Sequence, residues 1–267
     1  MGQPSALQTI KLSVDERGVA LVELHRPDVF NAFDETMIAE LGECFVSLAA
    51  RDDVRVVVLG SSGKVFSAGA DLNWMRRASV NSHEKNVDDA RRFTQMMEAI
   101  YLCPKPTVAR VQGSAFGGGV GLVCACDIVV ASEKAKFAVT ETRFGILPAV
   151  IGPYLVESIG VRQARRLALT ATPFSAEEAR QFGLVHTVVE HDALASQVDA
   201  TVTELVGNGP TSLSEVKILF GKIGRRAIDA EVSELTAQTI ARVRATDEAK
   251  EGFAAFFDKR KASWSRS

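Results

Sequence analysis

Residues 113–121 read Gly-Ser-Ala-Phe-Gly-Gly-Gly-Val-Gly, and five of these nine residues are glycine. This stretch follows the apolar run 107–111, which is typical of a buried strand, and it leads into the small, apolar segment 120–126, which is typical of a buried helix. Glycines at such a junction leave backbone N–H groups uncovered by side chains. The stretch therefore predicts a strand that turns into a helix N-terminus, a place that suits an oxyanion or a phosphate.

The glycine spacing excludes two nucleotide-binding motifs. A dinucleotide-binding fingerprint that begins at Gly117 needs its third glycine where the chain has Leu122. Segment 60–64, Gly-Ser-Ser-Gly-Lys, lacks the full spacing of a phosphate loop, and Val65 stands where that loop needs Ser or Thr. Two interpretations of the glycines remain: an anion-binding corner, or close helix–strand packing without a ligand.

A second corner of the same kind lies at residues 66–72, Phe-Ser-Ala-Gly-Ala-Asp-Leu. It follows the strand-like run 54–60 and precedes a segment, 72–78, that reads as a helix. Two such corners in one domain are able to aim two backbone N–H groups at one carbonyl oxygen. That arrangement stabilises an oxyanion that develops during a reaction.

Together the two corners resemble the crotonase, or enoyl-CoA hydratase/isomerase, superfamily. Further matches lie at residues 25–32, 137–148, 175–185 and 256–261. The resemblance covers almost the whole chain. Within the superfamily, segments 70–75 and 140–151 are most similar to a methylglutaconyl-CoA hydratase-like branch.

The expected fold is α/β: a crotonase-like spiral of ββα units over residues 1–206 that carries the active site, followed by a C-terminal helical layer over 207–267. In the family that layer builds a trimer, so a homotrimer or a dimer of trimers is expected. Local signals agree with such a spiral. Segments 9–14 and 19–25 predict a hairpin, Asp34 predicts a helix N-cap, and Ser175 with Glu178 predicts a capping box.

The resemblance implies roles at the reaction centre for four residues. The N–H groups of Ala70 and Gly118 are implied to form an oxyanion hole for a thioester carbonyl, and Glu141 is implied to be the acid–base group. Hydratases of the family usually carry two glutamates, and the position of the first is Gly121 here. A Glu141 facing an apolar pocket should have a raised pKa, which suits a group that both takes and returns a proton.

A second set of residues is expected around the rest of the substrate. The backbone at Asp28, Val29 and Phe30 and at Ala68, Asp71 and Leu72 is implied to hold the CoA adenine and phosphates. Candidates for the acyl pocket wall are Trp74, Met75 and Phe144, for which core packing is the alternative. Arg143 is a candidate for binding a distal carboxylate, with a structural ion pair or solvent exposure as its alternative. Lys259 matches a position that reaches a CoA phosphate across a subunit boundary, and a solvated helix face is its alternative.

Three functions are compatible with these residues. In hydration, Glu141 activates a water that adds to the 2,3 double bond of an enoyl thioester. In Δ3,Δ2-enoyl-CoA isomerisation, Glu141 alone carries a proton between C2 and C4 and needs no water. The third candidate is a CoA- or RNA-binding scaffold without catalysis, which the missing glutamate at Gly121 suggests and the retained Glu141 opposes.

Composition argues against several classes of binding partner. A net charge of −2 over 267 residues gives no pull toward nucleic acid or an anionic membrane, and no apolar run is long enough to span a bilayer. No spacing of His or Cys predicts a metal, and no cofactor is expected beyond the coenzyme A of the substrate. The four cysteines predict buried thiols, with a Cys124–Cys126 redox pair as the alternative. Residues 1–6 lack a signal sequence, so a cytoplasmic location is expected, or the mitochondrial matrix if a transit segment was removed.

Overall fold

The computed structural model of this chain describes residues 7–224 and 226–265. The N-terminal segment on which the localisation prediction rests lies outside the described residues. The strands are β1 (Ile10–Val14), β2 (Val19–Leu24), β3 (Val56–Ser61), β4 (Thr107–Val111), β5 (Ala115–Phe116), β6 (Ile128–Ser132), β7 (Lys136–Ala138), β8 (Phe174–Ser175) and β9 (Thr187–Val189). The helices are α1 (Glu35–Ala49), α2 (Leu72–Ala78), α3 (His83–Tyr101), α4 (Gly118–Cys124), α5 (Gly152–Thr170), α6 (Ala176–Phe182), α7 (Leu194–Gly207), α8 (Pro210–Ile223), α9 (Ala230–Arg244) and α10 (Asp247–Phe257).

Two sheets organise the core. The larger has six strands in the order β1-β2-β3-β4-β6-β9, all parallel except for the β1–β2 hairpin at one edge. The smaller has the order β5-β7-β8. Every residue of β3 is buried, as expected for a parallel strand covered on both faces. One face packs against the main core, which includes α1 and α4, and the other packs against α7.

The local signals in the sequence are confirmed. The hairpin pairs Ile10 with Leu24, and α1 begins after Asp34, whose carboxylate accepts hydrogen bonds from the N–H groups of Thr36 and Met37, both at 3.1 Å. The capping box of Ser175 and Glu178 opens α6, which ends at Gly183 in the left-handed conformation. Because these caps satisfy backbone groups at the helix ends, the helices begin where short-range chemistry places them.

A buried arginine is among the residues that attach the C-terminal helices to the sheet. Arg55, which precedes β3, donates to the carbonyls of Val206 (3.1 Å), Asn208 (2.9 Å) and Trp264 (3.0 Å). The break between α7 and α8 therefore lies directly over the core. The division into residues 1–206 and 207–267 stays a prediction. Within the described chain, no helix has the length and apolarity needed to cross a membrane.

All four cysteines are buried and free of disulfides. Burial raises the pKa of the Cys124 thiol to about 12. A thiol with such a pKa is almost never a thiolate at neutral pH, so the interpretation of these residues as packing groups is the one that the structure supports.

Candidate active site

The first corner presents the amide of Ala70. The Phe33 N–H donates to the Gly69 carbonyl at 2.8 Å, and the Asp71 N–H donates to the Phe33 carbonyl at 3.0 Å. In a trans peptide the N–H points away from the preceding C=O, so the bond at Gly69 turns the Ala70 N–H away from Phe33. No described residue accepts a hydrogen bond from the Ala70 N–H.

The second corner presents the amide of Gly118 at the start of α4. Gly117 has a φ of 50°, its N–H donates to the Ala138 carbonyl at 2.9 Å, and its own carbonyl accepts from the Val120 N–H at 2.9 Å. By the same peptide geometry, the Gly118 N–H points out of the helix N-terminus. It too has no acceptor in the described part of the chain. The corners adjoin, because a Cβ atom added at Gly69 would lie 3.5 Å from the Gly118 nitrogen.

Glu141 lies beside the second corner. It begins the 3-10 turn Glu141–Phe144 shortly after β7, and a Cβ atom added at Gly117 would lie 3.3 Å from its Oε1. Its Oε2 is buried and has no hydrogen-bond partner among the described residues. Burial raises the pKa of Glu141, and the hydrogen bonds from the N–H groups of Glu141 and Thr140 only partly oppose this. The structure thus places a carboxyl group with one unengaged oxygen beside Gly117, the residue that precedes the Gly118 amide.

The position of the missing first glutamate is closed by apolar side chains. A Cβ atom at Gly121 would lie 2.2 Å from Ile151 Cγ2 and 3.4 Å from Met97 Cε. Ile151 immediately precedes α5 and is 1% exposed, and Met97 in α3 is fully buried. The absence of a carboxylate at Gly121 is therefore matched by packing that occupies its place.

We expect Gly121→Glu to lower the free energy of unfolding. Overpacking against Ile151 alone costs about 1–3 kcal/mol, and the buried carboxylate adds its desolvation cost. Urea unfolding of the single variant and of Gly121→Glu/Ile151→Ala measures this effect. The double variant should regain part of the loss, because it removes Cγ2. A double variant less stable than the single one would contradict the packing argument.

The predicted CoA contacts lie along one exposed rim. Asp28 and Val29 belong to an exposed 3-10 turn, and Phe30 follows at a φ of 55°. The Ala68 N–H donates to the Phe30 carbonyl at 2.9 Å, which brings the two predicted segments together, and Leu72 is 73% exposed beside them. The Asp71 carboxylate instead makes contacts within the protein. It accepts hydrogen bonds from the N–H groups of Asn73 and Trp74 in the first turn of α2, and it forms an ion pair with Arg26 at 3.1 Å.

The remaining candidates have different surroundings. Trp74 is half-buried and packs against the core, Met75 is half-buried, and Phe144 is 57% exposed. Arg143 donates to the Ala171 carbonyl at 2.6 Å, at the left-handed end of α5, so its guanidinium stabilises the fold. Lys259 lies just beyond α10, and no contact among the described residues joins it to Glu141. A CoA contact from Lys259 in a neighbouring subunit stays a prediction.

The structure also reveals Ile151 and Met97, to which the sequence assigned no role. Met97 lies in no motif and Ile151 is only the last residue of segment 140–151, and both meet Gly121 because α3 and α5 pack on α4. Within residues 7–224 and 226–265, no group of three or more His, Cys, Asp or Glu residues is arranged to hold a metal ion.

Comparison with known proteins assigns the class. The family model described as Enoyl-CoA hydratase/isomerase matches residues 15–267. A putative enoyl-CoA hydratase of Thermus thermophilus is 36% identical over 249 residues, which is 93% of this chain and 98% of that protein. A Dictyostelium discoideum Delta(3,5)-Delta(2,4)-dienoyl-CoA isomerase is 30% identical over 92% of this chain and 87% of its own length. The crystal structure of an enoyl-CoA hydratase from Shewanella pealeana superposes with a TM-score of 0.94 at 38% identity, covering 97% of both chains.

The two glycine-rich corners, the neighbouring glutamate and these similarities agree. This chain belongs to the enoyl-CoA hydratase/isomerase family and has the crotonase fold.

Proposed function

We propose that this protein is an enoyl-CoA hydratase that adds water across the 2,3 double bond of an acyl-CoA thioester. The observation that carries the proposal is the position of Glu141, half-buried against Gly117 with its buried Oε2 unengaged, next to the outward-facing amide of Gly118. Two relatives that align over almost their whole length are described as a putative and a probable enoyl-CoA hydratase, which supports hydration as the reaction.

A single carboxylate is enough to balance the steps. Glu141 takes a proton from water as the water oxygen bonds to C3, and the electrons of the double bond pass to the thioester oxygen. The amides of Ala70 and Gly118 stabilise the resulting enolate. Glu141 then returns the proton to C2, and the enolate collapses to the thioester. Because Glu141 ends as it began, no other cofactor is needed beyond the coenzyme A of the substrate.

The second candidate is Δ3,Δ2-enoyl-CoA isomerase, and the contact between Gly121 and Ile151 favours it. Since no carboxylate stands at position 121 to help hold a water, transfer of a proton from C2 to C4 by Glu141 alone is compatible with the same site. The isomerase name of one relative is in keeping with that chemistry in this family.

A panel of thioesters separates the candidates. Hydratase activity should remove the absorbance of crotonyl-CoA with formation of a hydroxyacyl-CoA, and a 3-enoyl-CoA should be consumed more slowly. Conversion of the 3-enoyl-CoA alone would show an isomerase, and conversion of neither would favour a scaffold without catalysis. A near-neutral net charge of −2 opposes RNA as the ligand of such a scaffold.

The acyl group that we propose is methylglutaconyl or a related branched chain, on the resemblance of segments 70–75 and 140–151. Arg143, whose guanidinium donates to the Ala171 carbonyl through one nitrogen at 2.6 Å, stays the candidate for the cation that meets the distal carboxylate of this acyl group. Including methylglutaconyl-CoA in the panel tests this: a kcat/KM below that of crotonyl-CoA would argue against the branched substrate.

The assembly that we propose is a homotrimer or a dimer of trimers. Support comes from α10, where Phe256 and Phe257 are 77% and 74% exposed in the isolated chain. Apolar area of this kind at the surface is typical of interfaces. Sedimentation equilibrium tests the proposal, and a monomer at micromolar concentration would overturn it.

The pH dependence of activity should report on Glu141. The carboxylate is the form that accepts a proton from water, and burial raises its pKa above the ordinary value of 4.5. We therefore expect kcat/KM to fall on the acid side of the profile, with a midpoint above pH 4.5. The profile measured with crotonyl-CoA checks this, and an acid limb at or below that value would contradict the desolvation of Glu141.

A further inference from the structure

Ser67 is a fully buried serine that lies between the two corners. Its hydroxyl donates to the Asn31 carbonyl at 2.9 Å and accepts from the Gly69 N–H at 3.1 Å. Gly69 has a φ of 86° and immediately precedes Ala70. The hydroxyl therefore restrains Gly69, and the carbonyl of Gly69 sets the direction of the Ala70 N–H.

The main chain of Ser67 contacts the second corner. Its carbonyl accepts from the Phe116 N–H at 2.9 Å, and the residue pairs as an isolated bridge with Ala115 in β5. A Cβ atom at Gly119 would lie 2.8 Å from the Ser67 carbonyl oxygen and 2.9 Å from Ser67 Cβ. One residue thus bonds to the corner of Ala70 and packs tightly against the corner of Gly118.

We propose that Ser67 is a positioning residue that fixes the Ala70 amide relative to the Gly118 amide, so that both meet one thioester oxygen. The inference rests on the proposed function, because it needs an oxyanion hole at these two amides. It goes further by naming the side chain that sets the separation of the two donors. Ser67 touches no reacting atom, since it is fully buried behind the corners.

The chemistry of the contact indicates which kinetic constant should change. Loss of the hydroxyl leaves the Gly69 N–H and the Asn31 carbonyl without their partner in a buried place. The peptide that carries the Ala70 N–H then has more freedom to turn. Because the oxyanion binds these amides more tightly than the ground-state carbonyl does, a misplaced amide lowers kcat more than it changes KM.

The test compares Ser67→Ala with a matched control. Ser132 is also fully buried, and its hydroxyl accepts a hydrogen bond at 3.2 Å from the N–H of Lys134, two residues further along the chain. Ser132 differs from Ser67 in its place, because it lies at the end of β6. Ser132→Ala should leave kcat unchanged. Ser67→Ala should lower kcat for crotonyl-CoA by about 10-fold to 100-fold with little change in KM, as is typical of small misplacements in an active site.

A spectroscopic readout separates positioning from a general loss of stability. Butyryl-CoA, which has no double bond to hydrate, is bound with a ¹³C label at its thioester carbonyl, and infrared difference spectra report how strongly that carbonyl is polarised. Wild type and Ser132→Ala should lower the stretching frequency relative to free butyryl-CoA. Ser67→Ala should lose part of that shift, and Ser67→Cys, which retains a weak acceptor, should lie between. The cysteine variant carries the test if the alanine variant does not fold.

Each outcome bears on the proposal. A folded Ser67→Ala with wild-type kcat and carbonyl frequency overturns the role of Ser67 and leaves the proposed function standing. A lower melting temperature with an unchanged carbonyl frequency also overturns it, because the role is then structural alone. A wild-type protein that does not shift the carbonyl of bound butyryl-CoA overturns the oxyanion hole itself, and the inference with it.

Discussion

Glu141→Gln should lower kcat by a factor on the order of 10²–10⁴, the usual contribution of general acid–base catalysis. The amide of glutamine is nearly isosteric with the carboxyl group but neither accepts nor returns a proton at neutral pH. In the part of the chain that the structure describes, Glu141 is the one acidic residue shown against the glycine corner, and Gly121 provides no second carboxylate. We therefore expect no other residue to compensate. The assay is the loss of enoyl thioester absorbance with crotonyl-CoA.

The control for this variant is Glu133→Gln, which changes an exposed glutamate in the turn after β6. It should retain the wild-type kcat. KM of Glu141→Gln should stay near the wild-type value, since the corners and the CoA rim are unchanged. Equal kcat values for Glu141→Gln and wild type would remove Glu141 from the mechanism and contradict both proposals in the form that uses Glu141 as the acid–base group.

The same substitution should change stability in the opposite direction. Because burial raises the pKa of Glu141 in the folded protein, the protonated form is favoured by folding. Its stabilising contribution is fully present below the unfolded pKa and is lost as pH rises through the folded pKa. At neutral pH, Glu141→Gln should therefore be more stable than wild type, and the gap should narrow as pH falls through the folded pKa toward 4.5 and stay small below it. Urea midpoints at several pH values measure this, and a gap independent of pH would contradict it.

The fold was predictable where short-range chemistry decides the structure. Asp34 and Ser175 cap helices through their own neighbours, and both predictions are confirmed. The strand runs and glycine corners predicted the elements, whereas the resemblance to a known family supplied the spiral that joins them. Strand order depends on pairings distant in sequence, such as β4 with β6, and periodicity contains no information about those pairings.

The candidate site was predictable to a smaller extent. The resemblance named the residues of the two corners, and the structure places these corners side by side. The contact between Ile151 and Gly121 and the bond from Arg143 to the Ala171 carbonyl were not predictable, because each depends on how α5 lies against the core. The sequence alone gives Ser67 no role beyond its place in segment 66–72. Its two hydroxyl bonds become visible only when residues 31 and 69 are brought together.

Gly118→Ala should lower kcat by about 10²–10³, the usual effect of losing one donor of an oxyanion hole. The Cβ atom would lie 2.2 Å from Phe33 Cζ, and Phe33 is fully buried, so the main chain at Gly118 must move. That movement displaces the N–H that faces the substrate. It should also cost about 1–3 kcal/mol of stability, as overpacking of a core usually does.

Two further variants separate displacement of the amide from other effects of the extra methyl group. Gly221 in α8 has no atom within 4 Å of its Cβ position, so Gly221→Ala should keep wild-type kcat and gain up to about 1 kcal/mol from helix propensity. In Gly118→Ala/Phe33→Leu, the smaller side chain gives the methyl group room, and part of the lost kcat should return even though a cavity forms. Since the carbonyl is polarised most when both amides donate to it, infrared spectra of bound butyryl-CoA should show the same order of variants as kcat. A Gly118→Ala protein that is folded and fully active would place the oxyanion elsewhere in the site.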